Sequence, residues 1–143
     1  MRIQNKERKE SNPPESTFRG TLNPDLLRRV PVLFYRTDAG NEPVRVWLRA
    51  MKSPEDRRLI GEDIKTVEFG WPIGMPTRRP LGGGLHEVRT NLPGNRIPRV
   101  FFCVDKRERM VLLHGILKKT QATPASDLAL ARAHKLKHEK EIP

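Results

Sequence analysis

Apolar positions repeat with two different periods along this chain. Downstream, Leu85 to Arg89, Arg99 to Val104 and Met110 to Leu117 are short runs rich in Val, Ile, Leu and Phe, each bounded by Gly, Pro, Asn or a charged turn. Such runs predict strands. The connections, Thr90 to Pro98 and Asp105 to Arg109, are of hairpin length, so the three strands form an antiparallel meander. Upstream, Val32 to Arg36 is an earlier strand, ended by the turn-forming Thr37 to Asn41. The period then becomes helical. Val44, Trp47, Leu48 and Met51 stand at i, i+3, i+4 and i+7, which predicts a helix from about Pro43 with these four side chains in the core. Ser53-Pro54-Glu55-Asp56 supplies a cap, a first-turn proline and acids for a second helix, whose apolar face is Leu59, Ile60, Ile64 and Val67 and which Gly70 and Pro72 stop. Gly61 within it costs about 1 kcal/mol against Ala and suggests close packing there. The two helices are expected to pair as a hairpin against the sheet.

Trp71 to Pro80 reads as a loop and Gly82-Gly83-Gly84 as a flexible connection, since phosphate-cradling glycines run from a strand into a helix and these precede a strand. Thr123-Pro124 resembles a helix start, with Thr123 as cap and a terminal helix to about His138 carrying a narrow stripe of Leu128, Ala131, Lys135 and Leu136. Met1 to Thr21 is polar, has no period and is expected to be disordered, and Asn23 can cap a helical turn running to Arg29. Residues 1–29 are therefore expected to be an extension and residues 30–143 the domain.

The meander has a chemical consequence. It brings Arg89, Arg99, Lys118 and Lys119 to one end of the sheet, across a patch about 10 Å wide. A helix N-terminus just beyond would add unpaired amides that favour an anion, with phosphate the natural ligand. Ordinary solvated surface cations are the alternative reading.

Bulk charge favours the first reading. The 143 residues, 36% hydrophobic, suffice for one domain and a tail, and the formal net charge is +11. Between Arg78 and Lys119 there are ten Lys or Arg against three acids. Such concentration points to nucleic acid, with Arg78, Arg79, Arg96, Lys106 and Arg107 as further phosphate contacts. Apolar runs are too short for a membrane span and the N-terminus is too polar for a signal peptide, so a cytoplasmic protein is expected. The single cysteine, Cys103, reads as a small buried hydrophobe. His86-Glu87 lacks the second His of a zinc-protease motif, and His134 with His138 has no third ligand in sight, so neither metal nor cofactor is expected.

RNA cleavage without a metal needs a group to take the 2′-hydroxyl proton, cations around the phosphorane and a donor to the leaving 5′-oxygen. Glu87 shares a strand face with Arg89 and is either the base or a salt-bridge partner. Lys118, crowded by Lys119, is a second candidate for proton transfer, and His114 a third unless it is simply packed.

These residues carry a resemblance. Gly84-Leu85-His86-Glu87-Val88-Arg89, Arg99-Val100-Phe101-Phe102 and the run from Leu112 to Pro124, LLHGILKKTQATP, resemble the phage-derived HigB branch of the RelE/ParE toxin superfamily over about Val32 to Ala133. The resemblance implies an α+β, RelE-like fold: an antiparallel β-sheet packed against an N-terminal helix hairpin, with a C-terminal helix. It implies the toxin of a type II toxin-antitoxin pair, an mRNA endonuclease acting on ribosome-bound mRNA and inhibited by a HigA-like helix-turn-helix antitoxin. It points to Arg89, Arg99, Lys118 and Lys119, and less directly to Glu87 and His114. His86 stands where similar toxins have an aromatic, Ile116 where they have Phe, and the only Tyr is Tyr35, which argues against base stacking on a C-terminal tyrosine. A ParE-like gyrase inhibitor and an RNA-binding accessory protein are the rival readings.

Overall fold

The structure, a computed structural model, describes residues 28–74, 76–118 and 122–143. Residues 1–27, which include the expected disordered tail and the Asn23 turn, lie outside the described residues, as do Lys119 and the side chain of Lys118. In chain order the elements are β1 (Val32–Phe34), α1 (Pro43–Arg49), α2 (Pro54–Gly70), β2 (Arg78–Gly82), β3 (Leu85–Arg89), β4 (Ile97–Val104), β5 (Met110–Lys118) and α3 (Ala125–Glu141).

The strands make one five-stranded sheet in the order β1-β5-β4-β3-β2. The predicted meander is its centre, with β3 antiparallel to β4 and β4 to β5. Two features differ from expectation. The sheet is mixed, not antiparallel throughout, because β1 lies parallel to β5, Val32 opposite Met110. A parallel neighbour needs a long crossover, and here everything from α1 to β4 supplies it. The stretch expected as a loop, Trp71 to Pro80, turns into strand β2 at Arg78, antiparallel to β3. Its Arg-Arg-Pro start lacks an apolar period, and only an edge position tolerates the missing amide of Pro80.

The glycines that follow form a tight β2–β3 turn and not a flexible connection. Gly82, Gly83 and Gly84 have φ of 92°, 63° and 80°, a region that side chains with a Cβ rarely adopt. Added Cβ atoms at Gly83 and Gly84 would lie 3.3 Å from Arg132 Nη1 and Lys135 Cε of α3.

Each face of the sheet carries its own core. On one, Val44 of α1 and Ile60, Ile64 and Val67 of α2 pack with Val88, Val100, Phe102, Met110 and Leu112. Trp47, Leu48 and Met51 border that cluster, as their helical spacing predicted. Ser53 caps α2, its hydroxyl accepting from the Asp56 amide. Gly61, however, is exposed, and a Cβ there would meet nothing within 4 Å. The close-packed glycine is Gly115 of β5, where a Cβ would stand 2.5 Å from the Trp47 ring.

On the opposite face, Leu85, Phe101, Cys103, Val111, Leu113 and Ile116 pack with Tyr35 and Ala131. Burial pushes the Cys103 thiol up to about 12, so it stays protonated and apolar. Helix α3 covers this face while burying only Ala131 and His138. Polar bonds fasten it instead: Arg132 donates to the Leu81 and Gly82 carbonyls, and His138 Nε2 lies 2.9 Å from Asp105 Oδ2. Helix α3 begins at Ala125 with Pro124 at its cap position, not Thr123, and among the described residues no side-chain cap bond is made there. Thr123 is engaged elsewhere, which leads to the site.

Candidate functional site

Strand pairing places Arg89 of β3 directly opposite Arg99 of β4. Like charges in such a pair repel, with Cβ atoms about 4.5–5.5 Å apart, so the position calls for negative charge. Glu87, two residues before Arg89 and on the same face, supplies it. Its side chain is fully buried, and its Oε2 accepts from Arg89 Nε and lies 3.9 Å from Arg79 Nη1. Its Oε1 accepts from the Thr123 hydroxyl at 3.3 Å. The hydroxyl expected to cap α3 is thus spent on Glu87. Arg99, also fully buried, donates to the Ala122 carbonyl at 3.3 Å. Two bonds therefore tie the residues just before α3 to this end of the sheet, so the chain enters the helix beside Glu87 and Arg99.

The electrostatics follow from burial. Desolvation, joined by the positive charges of Arg89 and Arg79, lowers the Arg99 guanidinium from its ordinary value, and Glu87 opposes the shift. Among the described residues, this sheet end gathers the guanidinia of Arg79, Arg89 and Arg99 around one carboxylate. That balance favours an entering anion. Lys118 lies at the same end, its Cα opposite Ile97 at the start of β4.

The other candidates separate. His114 is on the same sheet face, with Nε2 2.8 Å from Asp127 Oδ1 in the first turn of α3. Arg78 belongs to the opposite face: its guanidinium donates to the Ile73 carbonyl, contacts His86 Nδ1 at 3.2 Å and lies 5.0 Å from the Trp71 ring centroid. Burial, then the charge of Arg78, lowers the His86 imidazole from its ordinary value. Arg96 is paired with Asp56 at 2.6 Å. Lys106 and Arg107 are exposed in the β4–β5 turn, at the far end of the sheet from Arg89. Of the expected phosphate contacts, only Arg79 stands beside the cluster.

Asp127 escaped notice in the sequence because an acid in a helix first turn already has an explanation in the dipole. Among the described residues, no group of three or more His, Cys, Asp or Glu is arranged to hold a metal ion, and no helix is long and apolar enough to cross a membrane.

Fold and charge together define a small, strongly basic α+β protein whose cations converge at one end of a mixed sheet. Residues 46–135 match the family described as phage-derived protein Gp49-like (DUF891), and the chain belongs to that family. It is a toxin-like family of the RelE/HigB-type group, and membership implies an antitoxin partner. No curated protein matches the chain.

Proposed function

We propose that this protein is the toxin of a type II toxin-antitoxin pair, a HigB-like mRNA endonuclease with a RelE-like fold. It acts in the cytoplasm on ribosome-bound mRNA and is silenced by a HigA-like helix-turn-helix antitoxin. The observation that carries the reading is the in-register pair Arg89 and Arg99 around the buried Glu87, beside the start of α3. The reaction is attack of the 2′-oxygen on the adjacent phosphorus with departure of the 5′-oxygen, leaving a 2′,3′-cyclic phosphate and a 5′-hydroxyl. Arg89, the more exposed of the pair, contacts the phosphorane, and Arg99 adds its field from behind Ala122. Full burial favours Glu87 as the carboxylate that holds Arg89 rather than as the base. Lys118, Lys119 and His114 are the candidates for proton transfer.

Single-turnover cleavage of ribosome-bound mRNA at saturating protein tests the reading. Arg89→Ala should lower the rate about a hundredfold or more, because it removes a contact strongest in the transition state. Lys106→Ala and Arg107→Ala, far from the cluster, should weaken binding in a salt-dependent way and leave the saturated rate nearly unchanged. Equal modest losses in both sets would mean that the cluster only binds RNA. Inhibition of gyrase supercoiling without any RNA cleavage would favour the ParE-like alternative.

A further inference from the structure

Beside Arg89 and Arg99, a second row of side chains crosses the same face of the sheet: Glu87, Phe101 and His114, aligned by strand register. His114 is gripped from both layers. Its ring lies nearly parallel to Phe101 of β4, with centroids 5.9 Å apart and an interplanar angle of 12°, while His134 of α3 approaches edge-on at 6.5 Å. Nε2 is 2.8 Å from Asp127 Oδ1, and the two side chains are 16% and 20% exposed. They are mostly buried without being sealed from a ligand.

An ionised carboxylate can only accept a hydrogen bond, so Nε2 carries the proton and the lone pair of the neutral ring sits on Nδ1. Among the described residues none bonds Nδ1. Across the β4–β5 pair, Arg99 faces Ile116, which makes His114 its diagonal neighbour at about 7–8 Å. A phosphate held at the arginines therefore brings its ribose within range of the ring.

We propose that Asp127 is a positioning residue for His114, and that the pair is the proton-handling half of the site, with Nδ1 exchanging the proton of the RNA 2′-hydroxyl; this rests on the endonuclease reading above. As the 2′-O–P bond forms, the 2′-hydroxyl proton moves to Nδ1. The P–O5′ bond breaks, solvent protonates the leaving oxygen, and the imidazolium returns its proton to solvent. Asp127 keeps the ring in the tautomer that can accept and stabilises the imidazolium. A mere fastening of α3 to the sheet would not need such a pair there, since Arg132 and His138 already fasten the helix.

Other ionisable groups lie on this side of the sheet: His134 and Asp127 of α3 touch the ring, and Arg99 of β4 and Glu87 of β3 share its sheet face. The test must therefore follow His114 itself. The ring nitrogen and proton signals of His114, which report its tautomer, are recorded by NMR in the free protein, wild type and Asp127→Asn, and the single-turnover rate of each is measured against pH. An amide can donate to Nε2 as well as accept from it, so loss of the carboxylate should reduce the share of the ring protonated on Nε2. The rate at the optimum should fall about tenfold or more. His114→Gln should abolish the acid limb of the pH–rate profile, and Asp127→Glu, which keeps the charge, should restore part of the rate. The inference is overturned if the Asn variant keeps the wild-type rate, or if His114→Gln leaves the acid limb in place. Thermal melting of each variant is recorded, and if Asp127→Asn melts early the Asp127→Glu comparison decides, a rate no higher than that of Asp127→Asn counting against the proposal. Wild-type protein that cleaves no RNA at any pH defeats the endonuclease reading itself; cleavage that ignores Asp127 defeats only the present one.

Discussion

Replacing Glu87 by Gln keeps the shape of the side chain and removes its charge, leaving Arg79, Arg89 and Arg99 without the carboxylate they surround. Glu87 is fully buried and Arg89 is 17% exposed, so the pair lies between two reference cases. A hydrogen bond to a charged group contributes about 1.5–3 kcal/mol, and breaking a buried ion pair costs about 3–5 kcal/mol. The expected loss is about 2–4 kcal/mol, a fall in melting temperature on the order of 10 °C for a domain of this size. Thermal melts in sodium chloride measure it. Repeating them in sodium sulfate at equal ionic strength probes the site, because an anion seated among the arginines stabilises only the folded state. The variant should regain more stability from sulfate than the wild type does, because the anion then also stands in for the lost carboxylate. A variant as stable as the wild type, with no excess response to sulfate, would refute the idea that this carboxylate holds the cluster together. Full stability with lost cleavage would instead make Glu87 the base.

The two glycines that exchanged roles make a paired prediction in urea denaturation: Gly61→Ala should stabilise by about 0.5–1 kcal/mol. Gly115→Ala, forced against Trp47, should destabilise by about 1–3 kcal/mol. At the far end of the sheet, burial alone would raise the Asp105 carboxyl, but hydrogen bonds from His138 and from the Arg109 backbone and side chain outweigh it and lower the group from 3.8 to about 2. The folded value is the lower one, so the stabilisation is present above pH 4 or so and is lost as pH falls towards 2. Melting temperatures across that window should drop less steeply in Asp105→Asn, and an identical slope would contradict the assignment.

Much of the frame was legible because its causes are local. Ser53 followed by Pro54 starts α2 wherever that helix packs, and the i, i+3, i+4 spacing of Val44, Trp47 and Leu48 puts them on one helix face in any context. Hairpin-length links also constrain the meander, so the gathering of Arg89 and Arg99 at one end of the sheet could be read from strand order alone, while their direct pairing is a matter of register. The rest depends on contacts between distant parts of the chain. Strand β1 reaches β5 across 78 positions, Val32 to Met110, and nothing in either short run says parallel. Strand β2 exists because β3 offers it an edge. Thr123 has two good partners, the helix end and Glu87, and only the folded sheet brings Glu87 near enough to win. Arg78, Arg96 and Arg89 are the same residue type in similarly basic surroundings. One is engaged by Trp71 and Ile73, one by Asp56, and one by the buried Glu87. Asp127 meets His114 only once α3 has folded back over the sheet. Local propensity acts over a few residues, so the chain by itself determines its elements; the partner of a charged side chain is decided by which long-range contacts the assembled layers bring within about 3 Å.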